Sequence, residues 1–155
     1  MEQPVETGGR APFFSLISAG SGWRVSLREA MGRKTVLIFH LQGTAPAAHE
    51  INQAVRETYP SPDDVLVASV IDLSIVPPVY WFSVSLVLNT AYDKAAAELP
   101  EGANPADYVV ILPDWSGLTS RKFGIRNTGR AAAVVVVNED ATIAGAYQGE
   151  SPVGR

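Results

Sequence analysis

Thr35-Val-Leu-Ile-Phe-His-Leu41, broken at once by Gln42-Gly-Thr-Ala-Pro46, is the stretch on which the reading of this 155-residue chain turns. A near-continuous apolar run without charge suits a β-strand covered on both faces, as in a parallel sheet. The polar break ends that strand. Pro46 is then at home in the first turn of a helix, with Thr44 or Ala45 as its cap. Ala48, Ile51, Val55 and Tyr59 recur at helical spacing, Glu50, Gln53, Arg56 and Glu57 take the other faces, and Pro60 and Pro62 stop the helix.

The same alternation continues on either side. Val65–Ile71 is a second buried strand, closed by Asp72, and Tyr108–Leu112 a third, closed by Pro113-Asp114. A short helix is predicted over Leu118–Phe123. Ala133–Val137 makes a fourth strand, and Asn138–Ala141 turns it into Ile143–Gln148. Upstream, Phe13–Ile17 and Trp23–Leu27 flank Ser18-Ala-Gly-Ser-Gly22 and predict a hairpin. No Lys-Ser/Thr follows Gly20 and Gly22, so that glycine pair marks a turn and not a phosphate loop. Residues 1–10 are polar and Gly-rich and read as a loose arm. The pattern predicts one α/β domain over residues 1–155, with a central mixed sheet in three layers, an N-terminal hairpin and a helical insertion around 73–107.

Composition narrows the chemistry. At 46% hydrophobic the chain can bury a real core. A net charge of -4 argues against phosphate backbones and anionic lipid, so no nucleic-acid partner is expected. The first residues have no basic stretch leading into an apolar run, hence no secretory signal, and the cytoplasm is the expected compartment. There is no cysteine, which excludes thiol, disulfide and metal-thiolate chemistry.

Several motifs in order resemble one family. Gly9-Arg-Ala-Pro-Phe-Phe-Ser-Leu16, Val25-Ser-Leu27 and Lys34-Thr-Val-Leu-Ile-Phe39 look like the opening of thioredoxin-like peroxiredoxins and their redoxin relatives. Phe123-Gly-Ile125 and Val135-Val-Val-Asn-Glu-Asp140 resemble that family's closing hairpin. The resemblance covers most of the chain outside 73–107 and implies a thioredoxin-like fold. It also implies a cysteine at the start of the helix after the buried strand, where the helix dipole would favour a thiolate. Here that segment reads Thr44-Ala-Pro-Ala47. Aligned as a thioredoxin-type pair, Thr44 and Ala47 stand at the two cysteine positions; aligned as a peroxiredoxin site, Thr44 is the supporting threonine and Ala47 the lost nucleophile. The proline expected before the fourth strand is replaced by Ala133 or a neighbour.

Two surfaces merit testing. Ligands of parallel α/β sheets lie beyond the carboxyl ends of the strands. Those ends carry His40, Gln42, Thr44, Asp72, Asp114 and Trp115, a set suited to a polar small molecule or, less well, a divalent cation. His40 or His49 is the base that would have to activate Thr44 as a nucleophile. Against this, Asp72 with Ser74 is a good helix-start signal, Asp114-Trp-Ser-Gly117 is a good turn, and Thr44 is a good cap. No resident metal or cofactor is expected. Arg121, Lys122, Arg126 and Arg130 form a basic cluster that reads as a solvated face.

The second surface is uncharged. Leu73 to Tyr92 contains no charged residue. Its length invites a membrane span, but the strands on either side must join one sheet, and Pro77-Pro78 reads as a helix start. A helix apolar on every face must be buried on more than one side. Tyr80, Trp81, Phe82, Val84 and Leu88 are therefore expected to form a homodimer interface or the wall of an apolar pocket. Alternatively, residues 79–98 fold back to cover a sheet face that a terminal helix would otherwise shield. The expected function is a non-catalytic module that binds a protein or small molecule. The alternatives are a non-thiol enzyme using His40, Thr44 and Asp72, or a self-associating protein working through residues 75–92.

Overall fold

The computed structural model describes residues 5–30 and 32–149. Strands β1 (Ser15–Ile17) and β2 (Arg24–Ser26) pair as an antiparallel hairpin, followed by the short helix α1 (Leu27–Ala30). The apolar run from Thr35 forms β3 (Lys34–Phe39); a 3-10 turn over Gln42–Thr44 leads into α2 (Ala45–Thr58). Then come β4 (Val65–Asp72), a second 3-10 turn (Pro78–Tyr80), α3 (Trp81–Ala97), α4 (Pro105–Tyr108), β5 (Ile111–Asp114), α5 (Leu118–Lys122), β6 (Ala133–Val137) and β7 (Ile143–Gln148).

The main sheet has the order β5-β4-β3-β6-β7. The first three strands are parallel; β6 runs against β3, and β7 against β6. β3 sits at the centre with its residues from Thr35 to Phe39 buried, which is why it carries apolar side chains on both faces. Leu37 and Phe39 face one core, with Phe14, Leu66, Val70, Leu112, Phe123, Ile125, Val135 and Ile143, and the hairpin residues Leu16 and Val25 cap it. Phe39 and Phe14 each meet the Phe123 ring there. Val36 and Ile38 face the other core with Val65, Val67, and Ala48 and Ile51 of α2. The mixed sheet, the flanking helices, the hairpin and the helical insertion all match the expected fold class.

Three expectations are corrected. The third strand starts later than Tyr108: Asn104 accepts the Ala106 N–H and Pro105 starts a helical turn, so Tyr108 ends α4 and only Ile111 and Leu112 of the expected run lie in β5. Pro113 does not close that strand but lies inside it. β5 is an edge strand, where the missing N–H of proline removes no inner ladder bond. Arg56 is not on a free polar face of α2. Its Nη1 donates to the carbonyls of Val65 (2.9 Å) and Tyr59 (3.2 Å), and its guanidinium lies over the Tyr108 ring.

The largest correction concerns α3. An all-apolar helix was expected to be buried on more than one side, yet only Leu88 is buried. Trp81, Val84, Leu88 and Tyr92 form the inward stripe. Tyr92 packs under Gly20 at the hairpin turn, and Asn89 Oδ1 accepts the Gly20 N–H at 2.9 Å. Phe82, Leu86 and Val87 point outward and are exposed, as are Ile75, Val79 and Tyr80 just before the helix. Nor does 79–98 shield the sheet in place of a terminal helix. An apolar groove of about 460 Å³ stays open over β6 beside α2, lined by Val36, Ile51, Val55, Val65, Val134 and Val136 among others, with no residue of α3 in its wall.

Candidate functional site

The carboxyl ends of β3, β4 and β5 lie side by side: Phe39 is in register with Val70, and Asp72 with Asp114. The backbone therefore brings the expected residues to one edge. Their side chains, however, serve the fold.

Thr44 stands at the N-cap of α2, with Ala45, Pro46 and Ala47 forming the first turn. Its hydroxyl does not cap that helix. Oγ1 accepts the Leu41 N–H at 3.0 Å and donates to the Thr128 carbonyl at 2.7 Å. Thr44 thus joins the loop after β3 to the loop before β6. Donating its proton to a carbonyl is the opposite of being deprotonated by a base. Ala47, in the first turn of α2, offers only a methyl group. Among the described residues no peptide bond is cis, and positions 131–133, just before and at the start of β6, are all alanine.

His40 follows β3 directly and is nearly enclosed; its backbone N–H joins β4 through the Val70 carbonyl. Burial pushes its pKa below the ordinary histidine value, because the imidazolium would lose its water. The Leu41 carbonyl, 3.0 Å from Nδ1, opposes that shift. Gln42 is exposed on the 3-10 turn.

Both aspartates are held by backbone. Asp114 is buried, and its carboxylate accepts the Ser120 N–H (2.9 Å), the Ser120 hydroxyl (3.0 Å) and, more distantly, the Thr119 N–H, fixing the start of α5. Asp72 Oδ1 accepts the Ser74 N–H at 2.9 Å, closing a turn. Gly117, with φ of 73°, passes so close to Asp72 and Ser74 that a Cβ there would collide with both side chains. Among the described residues no three His, Asp or Glu side chains gather to hold a metal ion. The basic cluster is exposed; Arg121 donates to the Ser116 carbonyl and Lys122 to that of Phe13.

Trp115 was expected to contribute an indole to a polar cleft. It contacts Trp81 instead, ring centroids 5.1 Å apart, while Trp81 Nε1 donates to the Val76 carbonyl at 3.0 Å. The indole pair anchors the start of α3 to the end of β5. It therefore sets the start of α3 at the carboxyl end of the edge strand β5, two strands away from β3. Of the expected interface set, Tyr80 and Phe82 are open, Trp81 is held in the Trp115 contact, Val84 is half-buried and Leu88 is inside the protomer. Ile75, Val79, Leu86 and Val87 were not singled out. The uncharged run flagged the region, but without polar residues to mark an outer face the helix phase could not be read.

No protein-family model and no curated protein sequence matches the chain. Solved structures do. An uncharacterized conserved protein from Geobacillus kaustophilus aligns over 99% of this chain and 74% of its own, at 14% identity and a TM-score of 0.69. A thiol-disulfide oxidoreductase from Bacteroides fragilis aligns over 94% and 95%, at 17% identity and a TM-score of 0.61. The thioredoxin domain of a thiol-disulfide oxidoreductase from Bacteroides vulgatus aligns over 94% and 91%, at 16% identity and a TM-score of 0.58. With the mixed sheet, the N-terminal hairpin and the strand–turn–helix at Thr44, these similarities identify the architecture: the chain has a thioredoxin-like fold, and it has that fold without a single cysteine.

Proposed function

We propose that this chain is a binding module that uses a thioredoxin-like fold without thiol chemistry, and that its working face is the apolar surface around the start of α3. Two observations carry the reading: the Thr44 hydroxyl at the start of α2 is taken by backbone, and Ile75, Val79, Tyr80, Phe82, Leu86 and Val87, on and just before α3, are left exposed. Large apolar side chains exposed in such number are costly to leave in water and mark interaction sites. No helix among the described residues is long and apolar enough to cross a membrane, so the stripe is not part of a helical span. The non-thiol enzyme reading has less support, since Thr44, Asp72 and Asp114 all have backbone partners.

Two measurements test the proposal. The purified chain should consume hydroperoxide and catalyse insulin reduction by dithiothreitol no faster than a protein-free blank; turnover above blank that Thr44→Ala removes would overturn it. A photoreactive benzoyl-phenylalanine in place of Phe82 should give a discrete adduct in the source cell, while the same group at exposed Glu57 should not. No adduct from position 82 would leave the stripe without a partner and sink the docking half of the reading.

A further inference from the structure

Resting on that reading, we infer that the occupant of the α3 surface is a second copy of this chain, docked about a two-fold axis that passes between Phe82 and Leu86. Three observations lead there.

The first is area. Ile75, Val79 and Phe82 are 83%, 79% and 75% exposed, and Val87, Tyr80 and Leu86 are 65%, 57% and 52% exposed. Together these six residues expose on the order of 700 Å², close to the roughly 800 Å² each partner gives to a stable interface. At about 100° per residue, those on α3 wrap its outer half, with Phe82 and Leu86 on one side and Val87 further round.

The second is self-complementarity. A two-fold contact sets a surface against itself, so any net charge on it repels its own image. From Leu73 to Tyr92 there is no charge to repel. The first charges along the helix, Asp93 and Lys94, are opposite in sign, and they fall past the apolar stripe, where a polar rim belongs. An acidic or basic partner would find nothing to pair with here.

The third is spacing. Phe82 and Leu86 are four residues apart on one helical face. Antiparallel packing of two α3 helices about their midpoint puts Phe82 of each copy against Leu86 of the partner subunit, a large ring against a branched aliphatic. The same register sets Val79 against Asn89 of the partner subunit at the ends of the contact. The inward stripe stays untouched, because Trp81 is fixed by Trp115 and the Val76 carbonyl, and Tyr92 by the hairpin turn. Each protomer therefore presents a preformed, rigid face.

The test is sedimentation velocity on the purified full chain, from low to high micromolar. The wild type should shift from monomer to dimer with loading. Phe82→Lys and Leu86→Asp should each weaken association by at least about tenfold, or roughly 1.4 kcal/mol, because the two-fold axis makes either substitution remove both Phe82–Leu86 contacts. Circular dichroism of both variants should stay native. Mixed together, they should form a heterodimer. The introduced ammonium of one chain then faces the introduced carboxylate of the other, while the remaining Leu86–Phe82 contact is intact. A wild type monomeric at high micromolar, a dimer insensitive to both substitutions, or no rescue on mixing would each overturn the inference. So would flotation of the monomeric wild type with phosphatidylcholine vesicles, which would make lipid the occupant. A monomeric chain that still gives a heterologous adduct from position 82 sinks the second copy but spares the binding reading; no adduct and no self-association sinks both.

Discussion

Thr44 is a structural residue: a hydroxyl at the start of α2 can accept from one backbone N–H and donate to one carbonyl, and here it does both, across two loops 84 residues apart in sequence. Thr44→Val keeps the shape and removes both bonds. It leaves a donor and an acceptor unpaired and should cost about 1–3 kcal/mol in urea unfolding, while Thr44→Ser should stay within about 0.5 kcal/mol of wild type. His40 gives a pH signature. Its folded pKa is depressed, so the unfolded chain binds the proton first as pH falls below about 6.5. Stability should be full above that value, decline as pH drops from it toward the lowered folded pKa, and level off below. His40→Gln should flatten that slope. If the two proteins show parallel declines between about pH 7.5 and 5, burial of His40 is not the cause.

Elements differ in how openly the sequence announces them. β3, β4, β6 and β7 are legible as apolar runs because strands buried on both faces have little room for polar residues. α2 was legible from Pro46 at its start and the spacing of Ala48 and Ile51. β5 is less legible, because Asn104-Pro105 starts a helical turn within an otherwise apolar approach and because Pro113, which in an inner strand would be a stop, is accepted by an edge strand. α3 was legible as a helix but not in phase. Its docking rests on a contact no local pattern contains: Gly20, at φ of 80°, lies flat against the Tyr92 ring. Gly20→Ala would both strain the backbone and drive a methyl into that ring. A loss of more than about 1 kcal/mol is expected in urea unfolding. Tyr92→Ala should lessen the added penalty of Gly20→Ala in a double-mutant cycle. Additive effects would mean that α3 is held elsewhere.

For the molecule as a whole, a thioredoxin-like fold stands without any cysteine. Thr44 and Ala47 still sit at the N-cap and first turn of a 14-residue helix, with no side chain capping it. Restoring thiols at both positions with Thr44→Cys and Ala47→Cys should give a pair that closes an intramolecular disulfide. The alkylation rate of residue 44 should report a pKa below the roughly 8.5 of a free thiol, because the helix N-terminus favours the thiolate. Iodoacetamide alkylation followed against pH reads this directly; a pKa at or above the free value would show that the helix start no longer stabilises an anion.

Composition and pattern were enough to exclude thiol chemistry, to place the central strands, and to locate the helix start that follows β3. Those features are local: a residue type is present or absent, and a period is read within a dozen positions. Whether His40, Asp72, Asp114 and Thr44 formed a polar cleft divided by range: Asp72 and Asp114 are bound by Ser74 and Ser120, within six residues, as the local turn signals already suggest, whereas the Thr44 partner, Thr128, lies 84 residues away and only folding could assign it. Which side of α3 faces water was equally non-local. A helix apolar all round carries no phase of its own, so it was settled by what α3 leans on, the Gly20 turn on one side and Trp115 at its start.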